Sequence, residues 1–401
     1  MEKQSNSSYK VGSFDGGVSL LAKRRLWFVA AATLLYAGLL LFTRGLRFAP
    51  KLDELHFWPT SLLFSHRWAP TLANLRSYNE LNTPLPFLMF GWVEHCFHQG
   101  IAAGRALNVL LSFLIVLEVG MPRDSGTRSS VIAAAGLLVF PYYLGVSAHL
   151  YTDIPAAFFV ILGMAAYRAR RHCFSATSFA LAIACRQYMV AFPIAIALHE
   201  FGRSGHKRPR LSEAWIAPLA AAATMLGWFA LFGGPAPRVA ILSQNLPTAQ
   251  FAKVFPAHGL YFLSCVGLYF VLPERILFGR ESGFPRPRRR DFAIALGLAL
   301  LFWAFPPLGN VDYFTPTMGY MDKFVRLFTS DIWRLVIFYV LALTACVRFD
   351  NLGLEALLVY ANALMMIKAH IAWDKYALPL LAVLWYMKAT EGAGGVNAWQ
   401  N

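Results

Sequence analysis

Charged residues are scarce in this chain of 401 residues: only 14% are Asp, Glu, Lys or Arg, whereas soluble domains carry about 25%. Hydrophobic residues make up 57% of the sequence and aromatic residues 15%. So little charge excludes an ordinary soluble domain, and apolar runs without alternating polar residues exclude a membrane β-barrel. Many runs are long enough, or nearly so, to cross a hydrocarbon core of about 30 Å. The sequence therefore predicts an all-α polytopic membrane protein.

Cysteine is also sparse, and the five cysteines are scattered along the chain, mostly within apolar segments. No two of them have the spacing of metal ligands, so the sequence predicts neither a zinc site nor a disulfide framework. His95 and His98 lie beside Cys96, but no fourth ligand accompanies them. A glycine-rich nucleotide loop is missing as well. We therefore expect no metal site and no nucleotide cofactor.

Basic charge is plentiful, with a net charge of +15, which in a soluble protein would favour nucleic-acid binding. Here Lys and Arg fall in short loops between apolar runs, which is the pattern of cytoplasmic loops. We therefore expect membrane lipids as partners and no nucleic acid. Residues 1–25 form a predicted cytoplasmic tail ending in Lys23-Arg24-Arg25, without the cleavage site of a signal peptide.

The positions of Lys and Arg also predict on which side of the membrane each of the other loops lies. Residues 44–100 become a long extracytoplasmic loop with short helices lying along the membrane surface. About twelve spans, with both termini in the cytoplasm, follow from the basic loops between them. Their approximate bounds are 26–43, 102–120, 130–148, 154–168, two short helices within 174–199, 212–232, 258–274, 291–308, 332–348, 352–368 and 377–390. We divide the chain into an N-terminal module (26–210), a C-terminal module (211–390) and a C-terminal tail (391–401).

Polar residues from widely separated loops fall on the extracytoplasmic side of this topology. Ionisable groups at membrane depth are costly and usually functional, so their gathering on one side predicts a single site. These residues are Asp53, Glu54, His56, Tyr151, Asp153, Arg186, Gln187, His370, Asp374 and Lys375.

Structural explanations compete with functional ones at several of these positions. An Asp-Glu pair at a helix start often serves as a cap, and Asp153 can be the N-cap of the helix that follows it. The segment Trp373–Tyr376 can be an interfacial aromatic belt with an ion pair. Arg186 interrupts an apolar run, so it needs either a carboxylate partner or an anionic ligand.

A series of short motifs resembles the GT-C membrane glycosyltransferases, most closely the ALG-type enzymes that add the terminal α-1,2-glucose of a lipid-linked oligosaccharide. The likeness extends over about residues 20–200 and continues mainly through topology. Several positions differ: the histidine of the first motif is one residue closer, and Tyr188 replaces a threonine. The motifs are Asp53-Glu54-Leu-His56, Trp68 with Asn82-Thr-Pro-Leu-Pro86, Tyr151-Thr-Asp153, Arg186-Gln187, and loosely His370 to Tyr376.

The resemblance implies transfer of a hexose from a polyprenyl-phosphate carrier to a hydroxyl of a lipid-linked or cell-envelope glycan. We expect Asp53 to be the general base of an inverting displacement. Cations would hold the carrier phosphate, and other polar groups would line the acceptor and sugar pocket. The expected phosphate ligands are Arg186, His370 and Lys375. Supporting or acceptor residues are Glu54, His56, Tyr151, Asp153 and Gln187, and further pocket residues are Trp373, Asp374 and Tyr376.

Two other classes of protein compete with an enzyme. A lipid or solute transporter would often show two similar halves with matching broken helices, which this sequence lacks. A membrane scaffold would not need Arg186 beside Gln187. The scheme requires no cofactor, although a divalent cation between Asp53 and Glu54 is an alternative that activity surviving EDTA would exclude. No Asn-x-Ser/Thr acceptor lies in a predicted extracytoplasmic loop, which favours a bacterial inner membrane over the endoplasmic reticulum.

Overall fold

The apolar runs of the sequence are helices in the computed structural model, which describes residues 15–123, 127–203, 213–243, 253–279, 288–308 and 319–391. Within these ranges the chain contains no strand. Most of the two predicted tails, the basic stretch 204–210 and part of the extracytoplasmic loop 310–331 fall outside them.

Ten α-helices lie in the described N-terminal ranges 15–123 and 127–203. A short 3₁₀ turn, Gln187–Val190, separates the last two. The helices are α1 (Asp15–Phe42), α2 (Glu54–Ser65), α3 (Leu72–Arg76), α4 (Leu85–Phe97), α5 (Ile101–Gly120), α6 (Thr127–Val139), α7 (Tyr143–Ser147), α8 (Asp153–Arg168), α9 (His172–Cys185) and α10 (Ala191–Arg203).

The C-terminal half continues in the same way. A π-helical turn, Gly267–Val271, joins two of its helices, and a 3₁₀ turn, Asp374–Ala377, precedes the last one. The helices are α11 (Glu213–Phe232), α12 (Arg238–Ser243), α13 (Pro256–Val266), α14 (Leu272–Phe278), α15 (Arg289–Ala304), α16 (Tyr320–Val325), α17 (Asp331–Arg348), α18 (Leu354–Met366) and α19 (Leu378–Glu391).

Four helical stretches are long and apolar enough to cross a membrane by length and composition: Leu20–Phe42, Ile101–Gly120, Ala214–Phe232 and Pro256–Phe278. Together with the apolar composition, they make this an integral membrane protein. A helix also lies at each of the other predicted spans, but these helices are shorter, and the total of about twelve crossings stays a prediction.

One predicted span is interrupted. Residues 130–148 form two helices, α6 and α7, with a break at Phe140–Tyr142. Pro141 lies in the break, and proline has no backbone N–H to continue a helix. A hydrophobicity pattern alone does not register such a break, since the residues on both sides are equally apolar.

The last helix, α19, forms the centre of the fold. All of its residues except Lys388 and Glu391 are buried, which is the behaviour of a helix that is apolar on every side. It packs mainly against α6 and α8. Because the 3₁₀ turn Asp374–Ala377 leads directly into this helix, the central packing fixes the position of that turn.

The predicted extracytoplasmic loop contains the three helices α2, α3 and α4. Helix α2 packs closely against α4 at Gly91, where a Cβ atom would lie 2.7 Å from the backbone oxygen of Ser61. Since Asp53 is the residue that precedes α2, this contact helps to set where Asp53 lies.

The opposite end of α19 is held by a separate network of charges. The guanidinium of Arg348 forms two hydrogen bonds with the buried carboxylate of Glu274, at 2.8 and 2.9 Å. Lys388 contacts the same carboxylate at 3.2 Å. Burying such charges is tolerable only when they are paired, and here the pairs tie α14, α17 and α19 together.

Candidate active site

The two adjacent acids at the start of α2 have different surroundings. Glu54 is fully buried and forms a two-point ion pair with Arg105 of α5, with both N–O distances at 2.7 Å. It also accepts a hydrogen bond from the backbone N–H of Leu150, at 2.7 Å. Arg105 donates in addition to the carbonyl oxygens of Leu46 and Phe48. Glu54 thus holds the loop, α5 and the start of α8 together.

Asp53 is the N-cap residue of α2, yet its side chain makes no capping hydrogen bond. Its carboxylate instead contacts Lys375, with an Oδ2–Nζ distance of 2.6 Å. The Asp53 side chain is 29% exposed, whereas that of Lys375 is 2% exposed. Capping therefore does not account for Asp53, and the carboxylate is accessible.

Aromatic rings surround the ammonium group of Lys375. Its Nζ lies 3.5 Å from the ring centroid of Trp373, 4.4 Å from that of Tyr151 and 5.9 Å from that of Tyr376. Burial lowers the pKa of Lys375, while the charges of Asp153 and Asp53 act in the opposite direction. Ring faces attract cations, so the aromatic residues support the ammonium charge that Asp53 contacts.

Arg186 lies at the break between α9 and the 3₁₀ turn, where its backbone is extended. Its guanidinium pairs with the carboxylate of Asp153 and donates to the hydroxyl of Tyr188 at 3.0 Å. The N-cap residue of α8 is Thr152, whereas Asp153 is the first residue of the helix, so Asp153 is not the N-cap considered from the sequence. Both charged groups are buried, and Nε of Arg186 has no hydrogen-bond partner among the described residues. The pair supplies the carboxylate that this arginine needs and leaves its buried Nε–H without a partner among the described residues.

A polar cavity of about 330 Å³ brings several of the predicted residues together. Its walls come from the start of α2, the loop before α4, the break after α9, the end of α12 and the segment that leads into and includes the last 3₁₀ turn. It is lined by the ring of Tyr376 and by these polar residues: Asp53, His56, Asn79, Glu80, Asn82, Arg186, Ser243 and His370.

Glu80 is a member of this cavity that the motifs did not indicate. It is 5% exposed, and burial together with the negative charge of Asp53 raises the pKa of Glu80 to about 8. A carboxyl group in this state is mostly protonated at neutral pH and can donate a hydrogen bond. Its position two residues before Asn82, within a loop already expected at the site, was the available signal.

An apolar cavity of about 290 Å³ adjoins the polar one, and both are lined by Arg186, His370 and Tyr376. Its far wall consists of flexible and aromatic side chains of α11 and α18. Gln187 lies here, with its amide donating to the carbonyl oxygens of Leu81 and Pro235. The apolar side chains on these two helices are Met225, Phe229, Met365 and Met366.

Six of the predicted site residues line neither cavity: Glu54, Tyr151, Asp153, Trp373, Asp374 and Lys375. Asp374 is buried and accepts hydrogen bonds from the Tyr269 hydroxyl and the Met321 backbone N–H, both at 3.0 Å. Trp373 donates from Nε1 to the Tyr142 hydroxyl at 3.2 Å. Burial raises the pKa of Asp374. In this structure Trp373 and Asp374 fasten the turn that carries Lys375 to its neighbours.

Comparison with known proteins gives one structural likeness. No family model and no curated protein matches the chain. Among solved structures it is similar to ArnT from Cupriavidus metallidurans bound to undecaprenyl phosphate. The two share 16% sequence identity over 91% of this chain and 77% of that one, with a TM-score of 0.42. A likeness at this level establishes neither family nor activity.

The arrangement joins an accessible carboxylate to cationic groups at the boundary between a polar and an apolar cavity. Burial and the charge of Arg186 lower the pKa of His370, which favours its neutral form. No cluster of three metal-ligating side chains occurs in the described part of the chain. A cation held jointly by Asp53 and Glu54 would require Glu54 to leave Arg105. The groups present suit proton removal beside a bound phosphate.

Proposed function

We propose that this protein is a membrane glycosyltransferase that moves a sugar from a polyprenyl-phosphate carrier to an acceptor hydroxyl. The observation that carries the proposal is the junction of the two cavities at Arg186 and His370. A polar cavity with an accessible carboxylate suits a sugar and an acceptor, and an adjoining apolar cavity suits a prenyl chain. The phosphate that links sugar to chain would then lie at the junction.

Asp53 removes the proton of the acceptor hydroxyl in this scheme. The acceptor oxygen forms a bond to the anomeric carbon while the bond from that carbon to the phosphate oxygen breaks. The electron pair of the broken bond stays on the phosphate, where the guanidinium of Arg186 and the ammonium of Lys375 stabilise the added charge. The displacement is a single step and inverts the configuration of the sugar.

The other cavity residues bind and orient. The protonated carboxyl of Glu80 donates to a sugar or acceptor oxygen, and His56 and Asn82 offer further polar contacts. Tyr151 and Asp153 act through Lys375 and Arg186, which they support. Glu54, with its carboxylate committed to Arg105, positions Asp53 from the adjacent residue.

The finer identity of the reaction rests on the sequence motifs. They support a hexose as the sugar and a lipid-linked or cell-envelope glycan as the acceptor. The basic loops support an active site on the periplasmic or luminal face and about twelve spans, and the lack of extracytoplasmic glycosylation sites supports a bacterial inner membrane.

The test is sugar transfer by the purified full chain from a polyprenyl-phosphate hexose to a glycolipid extract of bacterial membranes. Asp53→Asn should reduce transfer by about a thousandfold or more, since the amide cannot accept the acceptor's proton at neutral pH. The readout is radiolabelled sugar in the glycolipid fraction. The matched control is Asp331→Asn, an exposed acid at the start of α17, which should keep wild-type turnover.

Wild-type turnover by a folded Asp53→Asn protein would remove Asp53 from the chemistry. Movement of the carrier lipid across proteoliposomes without any covalent transfer would favour a transporter instead.

A further inference from the structure

The base and one of the phosphate-binding cations neutralise each other in this structure. The contact between Asp53 Oδ2 and Lys375 Nζ, at 2.6 Å, joins residues 322 positions apart. A carboxylate whose oxygen accepts a charge-assisted hydrogen bond is less available to take another proton. An ammonium held by a carboxylate is likewise less available to a phosphate.

A second site for the ammonium group of Lys375 lies beside Arg186. Its Nζ and the Cζ of Arg186 lie 5.9 and 5.2 Å from the ring centroid of the same residue, Tyr376. That ring lines both cavities. A phosphate bound beside Arg186, which lines the same two cavities, would therefore lie within reach of the Lys375 side chain.

We propose that Lys375 exchanges the carboxylate of Asp53 for the carrier phosphate when the lipid binds, so that the arriving donor frees its own catalytic base. The exchange rests on the proposed function. It makes the donor-free protein self-inhibited at Asp53 and makes acceptor activation follow donor binding.

The electrostatic free energy of Lys375 changes little in such an exchange. Lys375 trades one anionic oxygen for another, and the face of Tyr376 continues to support its charge along the way. Arg186 adds a second cation to the phosphate side of the balance, which favours the exchange once the lipid is present. After transfer, Asp53 carries the acceptor's proton and attracts Lys375 again only when that proton has left.

A double-mutant cycle on carrier binding tests the exchange without turnover. The probe is undecaprenyl phosphate without a sugar, titrated against the purified full chain, Asp53→Asn, Lys375→Met and the double variant. Asp53→Asn should bind it roughly three- to tenfold more tightly, because the competing carboxylate is gone. Lys375→Met should bind it about tenfold more weakly. In the Lys375→Met background, Asp53→Asn should then change little.

The cycle separates exchange from general repulsion between two anions. If Asp53→Asn tightens binding equally with and without Lys375, the carboxylate merely repels the phosphate and the exchange is wrong. Unchanged affinity in Asp53→Asn would overturn it too, while the proposed function would stand. If the wild-type chain does not bind undecaprenyl phosphate at all, the proposed function itself fails.

A second measurement keeps both Asp53 and Lys375, so it does not depend on the folding of the variants at these two positions. The ammonium of Lys375 lies 3.5 Å from the ring of Trp373, so its departure should change the emission of that indole. The difference spectrum between wild type and Trp373→Phe should therefore change as undecaprenyl phosphate is added. A difference spectrum that stays constant through saturation would contradict the movement of Lys375.

Discussion

Two adjacent acids reach different surroundings because successive residues at a helix start point in directions about 100° apart. Glu54 turns into the protein and meets Arg105, whereas Asp53 turns to the cavity and meets Lys375. Breaking a fully buried pair such as Glu54–Arg105 typically costs about 3–5 kcal/mol, so that pair is suited to structure. The sequence assigned Asp53 as the base and Glu54 as a supporting residue, but it could not predict the Glu54–Arg105 pair, since Arg105 lies within a predicted span.

The single residue Glu80 makes the stability of the folded protein depend on pH. Its pKa rises from the ordinary 4.5 to about 8 in the folded protein, so the native state keeps a proton that the unfolded chain loses. The resulting stability is fully present below about pH 4.5 and is lost as pH rises through about 8, by at most about 1.4 kcal/mol per pH unit.

The expected result is that wild type loses thermal stability relative to Glu80→Gln between about pH 5 and 8. Unfolding midpoints of the two detergent-solubilised proteins measure it. A constant difference between them across this range would show that Glu80 is not protonated in the native state.

Most helices were predictable as elements because apolar runs between basic loops set their places within a few residues. The hairpin around Arg186 is the clearest case: α9 ends at Cys185, and the next α-helix begins at Ala191. The break at Pro141 and the bounds and packing of the short helices expected in 44–100 were beyond the pattern. They depend on tertiary contacts, such as the approach of α2 to α4, that periodicity does not encode.

The α2–α4 contact predicts the effect of a single methyl group. In Gly91→Ala, the added Cβ would lie 2.7 Å from the Ser61 carbonyl oxygen and 2.9 Å from the Phe64 carbonyl carbon, both in the backbone of α2. Backbone atoms cannot yield as a side chain can, so α2 must shift. We expect a loss of about 1–3 kcal/mol and, because α2 follows Asp53, lower transfer activity.

The control for this change is Gly227→Ala in α11, where a Cβ would meet nothing within 4 Å. Alanine is favoured over glycine in a helix by roughly 0.5–1 kcal/mol, so this variant should be at least as stable as wild type. Thermal unfolding and sugar transfer are measured for both variants. Equal behaviour of the two would mean that the α2–α4 contact is not tight.

Across the whole molecule, the predicted topology puts the two exposed cysteines on opposite sides of the membrane. Cys96 in α4 belongs to the predicted extracytoplasmic loop, and Cys173 in α9 follows the basic stretch 168–171. A membrane-impermeant maleimide added to intact spheroplasts should therefore label Cys96, and it should label Cys173 only after permeabilisation.

Cys96→Ser and Cys173→Ser identify the labelled positions by mass spectrometry. The other three cysteines are buried and should stay unlabelled while the protein is folded. Labelling of Cys173 from outside, with Cys96 protected, would invert the topology and place the cavities on the cytoplasmic face.

Asp53 and Lys375 are separated by 322 positions along the chain, and this separation has a consequence for biosynthesis. A nascent chain emerging from the ribosome carries the acid long before it receives the counter-ion. The same late segment supplies α19, the helix around which the earlier ones pack. A chain cut short before that point therefore lacks both the centre of the fold and Lys375, so it can form neither the core around α19 nor the ion pair.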